Sequence, residues 1–226
     1  MMLSAGAYTI PFVWRVWWFG EFLFLLPLLR LIQLNRLYWW YGLWWGILVY
    51  GFHSWPYIVF WPAHMQHCVW WFPYVFIVYC ALYTSIWFAV PKFISQRAFH
   101  KNVLLRFWSF SAVGWLWFWF VRNGLFFVHG TMDGWWLTSP LIPLTALPPL
   151  VWGSFYMGTT LLEGCLFITQ TALVSFLISG QKKWGYIVVL ALAPFLIGVY
   201  ALHNIEMKEP RWLEQVGVVL PARLPS

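Results

Sequence analysis

The chain has 226 residues, of which 62% are hydrophobic and 8% are charged, and its mean hydropathy is +0.71. This composition excludes a soluble domain with a charged surface and predicts an integral membrane protein. The net charge is +7 and the pI is near 9.5, but the basic residues flank apolar runs instead of forming a patch. Nucleic acid is therefore discounted as a partner.

The first segment, residues 1–11, is weakly apolar and carries neither a basic residue nor a cleavage-site pattern. It is interpreted as a remnant or a re-entrant segment, because a signal peptide needs both features. The long segment at residues 123–149 is rich in Gly, Pro and Trp. That composition predicts a folded extracytoplasmic loop at the membrane interface.

Six apolar runs approach or exceed the length of about 20 residues that a spanning helix needs. They lack the alternation of barrel strands, so helices are predicted. The predicted spans are residues 16–34, 38–60, 69–90, 104–121, 150–178 and 186–202. The fold class is therefore an all-α membrane protein, a polytopic transmembrane bundle of about six spans.

Positive charge falls in alternate gaps between these runs. The first gap carries Arg30 and Arg36, and the fifth carries Lys182 and Lys183. The third gap carries Lys92, Arg97, Lys101 and Arg106. Short loops rich in Lys and Arg stay in the cytoplasm. The pattern therefore predicts a multi-pass protein whose C-terminal tail lies outside the cytoplasm.

Glu163 lies inside the fifth predicted span, and an ionisable residue there is a functional candidate because charge is costly at that depth. Two interpretations remain open. The carboxyl is either neutral and hydrogen-bonded within the bundle, or it serves a proton or a substrate. Polar residues near the same helical face favour the first, and they are Thr159, Thr160, Gln170 and Thr171.

Metal-ligand residue types cluster at His64, His67 and Cys68, where the two histidines would share a helical face. No carboxylate or further histidine lies near them, so a polar extracytoplasmic turn is favoured. The three cysteines form no CxxC pair, which argues against a zinc site or a disulfide framework. No metal and no cofactor is predicted.

The chain divides into a transmembrane bundle at residues 1–205 and a polar tail at residues 206–226. The tail contains Val216-Gly-Val-Val-Leu-Pro, which is typical of a first buried strand of a soluble domain. One strand does not fold alone. The tail therefore indicates a fragment or pairing with another chain.

Three short motifs follow one another in the first half of the chain: Ile10-Pro-Phe-Val, Phe24-Leu-Leu-Pro-Leu-Leu and Tyr41-Gly-Leu-Trp-Trp-Gly. They resemble the early turn and helices of the bacterial apolipoprotein N-acyltransferases, and the order of segments is similar to that family over nearly the whole chain. Pro140-Leu-Ile-Pro-Leu-Thr-Ala-Leu resembles its periplasmic segment, and the tail resembles the opening strand of its nitrilase-like domain. The family has eight spans and a complete catalytic domain, so this chain departs from it.

The resemblance implies acyl transfer from a phospholipid to the N-terminal cysteine amine of a lipoprotein, in a bacterial inner membrane with the tail in the periplasm. The family's catalytic Glu, Lys and Cys match no position here, so enzymatic activity of this chain stays open. A separate nitrilase-like chain is an expected partner. Lipid contacts are expected at Arg122, Trp135 and Trp136. The alternative is a non-catalytic membrane protein or a small transporter-like bundle.

Overall fold

The computed structural model describes residues 1–64, 71–97, 102–129, 139–141, 143–151 and 153–206. The regular structure of these residues is helical, which confirms the all-α class. Two 3-10 helices occur, at Arg15–Phe22 and Pro143–Ala146. The α-helices are α1 (Met2–Val13), α2 (Leu26–Gln33), α3 (Trp39–His64), α4 (Phe72–Arg97), α5 (Val103–His129), α6 (Pro148–Val151), α7 (Gly153–Ser179) and α8 (Lys182–Glu206).

Four segments of the described chain are long and apolar enough to cross a membrane. They are Val16–Gln33, Tyr74–Phe93, Met157–Ser179 and Lys182–Tyr200. The multi-pass class is therefore supported, whereas the predicted count of six spans was too high by this measure. The predicted runs 38–60 and 104–121 do lie in the long helices α3 and α5. Neither helix contributes a membrane-length stretch among the residues whose side chains the structure describes.

The first of the four segments is not a continuous α-helix. It begins as the 3-10 helix Arg15–Phe22, turns at residues 23–25 and continues as α2. Asn35, with φ of 56°, ends this segment in a left-handed conformation that Asn tolerates. The predicted span at residues 16–34 is therefore correct in position but broken in the middle.

The N-terminal segment is helix α1, which at 12 residues is about 18 Å long and too short to cross a bilayer core of about 30 Å. It packs into the bundle by its buried residues Ala5 and Tyr8. The Trp45 indole N–H donates to the Ser4 hydroxyl over 3.0 Å and joins α1 to α3. Residues 1–11 are therefore part of the core, as a re-entrant segment would be.

Helices α3 and α4 approach each other through small residues. A Cβ on Gly42 would lie 2.6 Å from the Thr84 carbonyl carbon, and one on Gly46 would lie 2.6 Å from the Ala81 Cα. The Thr84 hydroxyl donates to the Gly42 carbonyl over 2.7 Å. This is the small-xxx-small packing of membrane helices, in which van der Waals contact replaces the hydrophobic driving force.

Two tryptophan side chains connect α4, α5 and α7, and each packs against a glycine of the neighbouring helix. The fully buried Trp87 of α4 stacks on Phe110 at 4.7 Å, and a Cβ on Gly114 would lie 2.5 Å from the nearest atom of the Trp87 ring. Trp115 of α5 lies over Gly164 of α7 and donates to the Thr160 carbonyl over 2.8 Å. The glycines make room for indole rings that cross from one helix to the next.

The ends of α2, α5 and α8 that carry basic residues meet at one end of the bundle, and the basic end of α4 precedes the start of α5 by a short connection. Arg106 at the start of α5 donates to the Asn35 side chain after α2, over 3.3 Å. Trp108 and Trp184 stack at 5.4 Å and bring the starts of α5 and α8 together. We call this the basic end, and its described basic residues are Arg30, Arg36, Lys92, Arg106, Lys182 and Lys183. The three basic gaps predicted to share one side of the membrane thus lie together.

Candidate functional site

Glu163 lies on α7 and has no exposed surface. The Ser139 hydroxyl, from the segment before α6, donates to its Oε1, and the same Ser139 oxygen accepts from the Leu141 N–H over 3.2 Å. The Glu163 carboxyl therefore lies inside the bundle. The hydrogen bond to its Oε1 comes from Ser139, which lies outside α7. Sequence spacing along α7 does not reveal a donor that arrives from another segment.

The four polar residues predicted to accompany Glu163 have separate roles. Gln170 and Thr171 are buried, whereas Thr159 is exposed. Thr171 shares a hydrogen bond with Ser111 of α5, and the Thr160 carbonyl accepts from the Trp115 indole. Polar groups of α7 therefore connect it to neighbouring helices, as the structural interpretation expects.

A second buried carboxyl, that of Glu21, was missed by the sequence reasoning. Glu21 lies in the 3-10 helix Arg15–Phe22 and has no exposed surface. Among the described residues neither of its carboxyl oxygens has a hydrogen-bond partner. Its position inside the predicted span at residues 16–34 was the available signal, because any ionisable residue at that depth is a functional candidate.

The Gln170 side chain explains why the helix is interrupted next to Glu21. In a regular helix the Leu25 N–H would donate to the Glu21 carbonyl, four residues earlier. Here the Gln170 amide lies between them: its oxygen accepts from the Leu25 N–H over 2.8 Å, and its NH₂ donates to the Glu21 carbonyl over 3.0 Å. A side chain from α7 thus enters the hydrogen-bond ladder and satisfies the backbone at the break.

Tyr8 lies near the carboxyls of both Glu21 and Glu163. We call Tyr8, Glu21, Glu163 and Gln170 the carboxyl cluster. Tyr8 is fully buried and its ring lies 5.2 Å from that of Phe24. Burial raises the pKa of Tyr8 well above its usual value, and the Glu21 and Glu163 carboxyls lie near enough to add to this effect when they are ionised. Glu163 and Gln170 are separated by about 10 Å along α7.

The cluster is chemically suited to holding protons. An ionised carboxylate in an apolar interior is strongly disfavoured unless it is paired, so buried carboxyls take up protons and become neutral. Neutral carboxylic acids and phenols both donate and accept hydrogen bonds. Among the residues with described side chains, Glu21 and Glu163 are also the only carboxyl-bearing ones, and both lie in the interior.

A groove of about 480 Å³ opens between α2 and α7 near the basic end. Its lining is mainly apolar, with Arg30 and Gln33 as the polar members. The Arg30 guanidinium donates to the Gln33 side chain, which orients it along the groove. The complete lining is Leu26, Arg30, Gln33, Val174, Leu177 and Ile178.

The structure does not describe the side chains of the residues that were expected to contact lipid. Arg122 belongs to α5, sixteen positions after Arg106 and therefore about 24 Å along the helix from the basic end. Trp135 and Trp136 fall outside the described residues, as do His67 and Cys68. No group of three metal-ligating residue types occurs in the part of the chain that the structure describes. No protein-family model, curated protein or solved structure matches this chain.

Proposed function

We propose that this chain is the membrane portion of an apolipoprotein N-acyltransferase-like protein in a bacterial inner membrane. Its role is to hold a phospholipid and a lipoprotein while a nitrilase-like domain, attached or separate, transfers the acyl chain to the N-terminal cysteine amine. The support is the segment order of the sequence, which resembles that family from Ile10-Pro-Phe-Val to the Val216 strand.

The course of α8 is the observation that carries this proposal. The helix begins at Lys182, at the basic end, and its 25 residues extend about 37 Å to Glu206. The end of α8 at Glu206 therefore lies at the opposite end of the bundle from Lys182. With the basic end in the cytoplasm, as the positive-inside rule favours, the tail emerges outside it. The catalytic domain of the resembling family lies on that side.

The two thiols that the structure describes do not serve as the nucleophile in this proposal. Acyl transfer through a thioester needs a thiolate with a general base beside it. Cys80 is fully buried among aromatic helices, and Cys165 lies within the span Met157–Ser179. The thiol that carries the acyl group belongs to the nitrilase-like domain. The bundle contributes binding and orientation of the two lipid-bearing substrates.

A fusion experiment tests the proposal. We expect that joining a nitrilase-like acyltransferase domain to the tail after residue 226 yields a protein that restores lipoprotein N-acylation in a strain depleted of its own enzyme. The readout is the mass of a lipoprotein's N-terminal peptide with and without the third acyl chain. A matched fusion without the domain's catalytic cysteine should give no product.

Two controls make the result decisive. The same domain on an unrelated single membrane helix shows whether any anchor is sufficient. Membrane fractionation and circular dichroism show that the fusion is inserted and helical. Acylation by the unrelated anchor at the same rate, or no acylation by an inserted and helical fusion, would contradict a substrate-binding role for this bundle.

A second candidate function is a small transporter-like bundle, and the carboxyl cluster favours it. Two ionisable residues inside one bundle are typical of proton and substrate pathways. If this candidate is correct, proteoliposomes containing the protein should move protons down an imposed gradient, and Glu163→Gln should reduce the flux to that of empty vesicles. A pH-sensitive dye inside the vesicles measures the rate, and Lys183→Gln at the basic end is the control. Equal flux in wild type and empty vesicles would exclude it.

A further inference from the structure

We propose that Glu21 is a proton-binding site inside the bundle, a neutral carboxylic acid held at a break in the first membrane segment. The carboxyl is fully buried, and no described residue hydrogen-bonds to either of its oxygens. The inference rests on this geometry and is independent of the proposed acyltransferase role.

The charge of the site follows from its surroundings. An ionised carboxylate needs hydrogen-bond donors or a cation to replace the water it loses on burial. Glu21 has no hydrogen-bond donor among the described residues, and the nearest basic residue with a described side chain along the chain is Arg30, nine positions later at the basic end. Binding a proton removes the charge, so the proton is the ligand that this site takes.

The interruption of the first membrane segment positions Glu21. Gln170 keeps the Glu21 carbonyl and the Leu25 N–H apart, so the segment stays open at Glu21. On the other side, Gly20 is in close contact with α1, where an added Cβ would lie 3.0 Å from the Pro11 ring. Discontinuous membrane segments of this kind commonly form ion and substrate sites, because the freed backbone groups and a polar side chain coincide.

The groups that face Glu21 distinguish its carboxyl from that of Glu163. From α1 the titratable neighbour of Glu21 is Tyr8, which also lies near Glu163 of α7, the carboxyl that has the Ser139 hydroxyl as a donor. From α8 the contact is the Phe195 ring, 5.3 Å from Phe22. The 3-10 helix Pro143–Ala146 contributes no titratable residue. A hydrogen-bonded carboxyl and one without such a bond should therefore give different spectra.

Infrared difference spectroscopy of the full chain in lipid vesicles tests the proposal. At neutral pH, subtracting the Glu21→Gln spectrum from that of the wild type should leave one C=O stretching band of a neutral carboxylic acid, lost completely in the variant. The matched variant Glu163→Gln should leave that band in place. A neutral Glu163 carboxyl should give a separate C=O band at lower frequency, because the hydrogen bond from Ser139 weakens its C=O bond. Loss of the two carboxylate stretching bands in Glu21→Gln would instead show an ionised group and overturn the proposal.

A second measurement on the wild type covers the case in which the Glu21 variant does not fold. Dicyclohexylcarbodiimide adds to neutral carboxylic acids in apolar surroundings and forms an N-acylurea with no leaving group. After treatment at neutral pH, peptide mass spectrometry should find the adduct on Glu21, and sodium ions should not reduce it. Protection by sodium would mean that a cation binds to the carboxylate and would contradict a proton site.

Discussion

Replacing Gly46 with alanine is expected to separate α3 from α4 and to lower the free energy of unfolding substantially. The added Cβ would lie 2.6 Å from the Ala81 Cα, an atom of the α4 backbone that cannot rotate away. Overpacking a well-filled contact costs about 1–3 kcal/mol, and the upper end applies here because the obstacle is backbone. The separation also lengthens the 2.7 Å hydrogen bond from Thr84 to the Gly42 carbonyl.

Thermal unfolding in detergent measures this effect, followed by the helical circular dichroism signal and the monomer peak after heating. Gly51→Ala is the matched control, because Gly51 lies on the same helix and an added Cβ meets no atom within 4 Å. That variant should stay within about 0.5 kcal/mol of the wild type. Equal melting temperatures for the two variants would contradict close packing at Gly46.

Replacing Gln170 with leucine is expected to be the most damaging change of a polar side chain. It would leave the Leu25 N–H and the Glu21 carbonyl without their partner in an apolar interior. Each buried orphan group costs about 1–3 kcal/mol, so the sum is roughly 2–6 kcal/mol. The comparison variant Gln33→Leu removes a glutamine whose hydrogen bond to Arg30 is exposed, and its effect should be small.

The same unfolding measurement decides this prediction, and hydrogen exchange locates the change. Amides at residues 21–25 should exchange faster in Gln170→Leu, because the break loses the side chain that stabilises it. A melting temperature equal to that of the wild type, with slower exchange at these residues, would show that the segment closes into a regular helix. In that case Gln170 is needed to keep the break open but not for stability.

Much of the architecture was predictable because it depends on local properties of the sequence. The apolar runs at residues 16–34 and 186–202 are membrane-length segments, as predicted, and each of the six runs contains a helix. The predicted count of six crossings exceeds the four membrane-length segments found among the described residues. Glu163 was identified because one carboxyl in a long apolar run stands out.

The parts of the carboxyl cluster that were not predicted depend on contacts between distant residues. Ser139 meets Glu163 from 24 positions away, and Gln170 meets Leu25 from 145 positions away. Neither pair has a periodicity or a motif that relates the two partners. Glu21 was overlooked because the run around it was read as one helix, although the carboxyl itself was visible in the sequence.

By itself the sequence determined the class of this protein and its helical segments, because hydropathy is a property of individual residues in order. The tertiary structure decided where the first span breaks, that α1 belongs to the core, and which polar groups meet inside the bundle. The physical reason is that a buried polar group must find its partner within the protein, and that partner is chosen by how the helices pack.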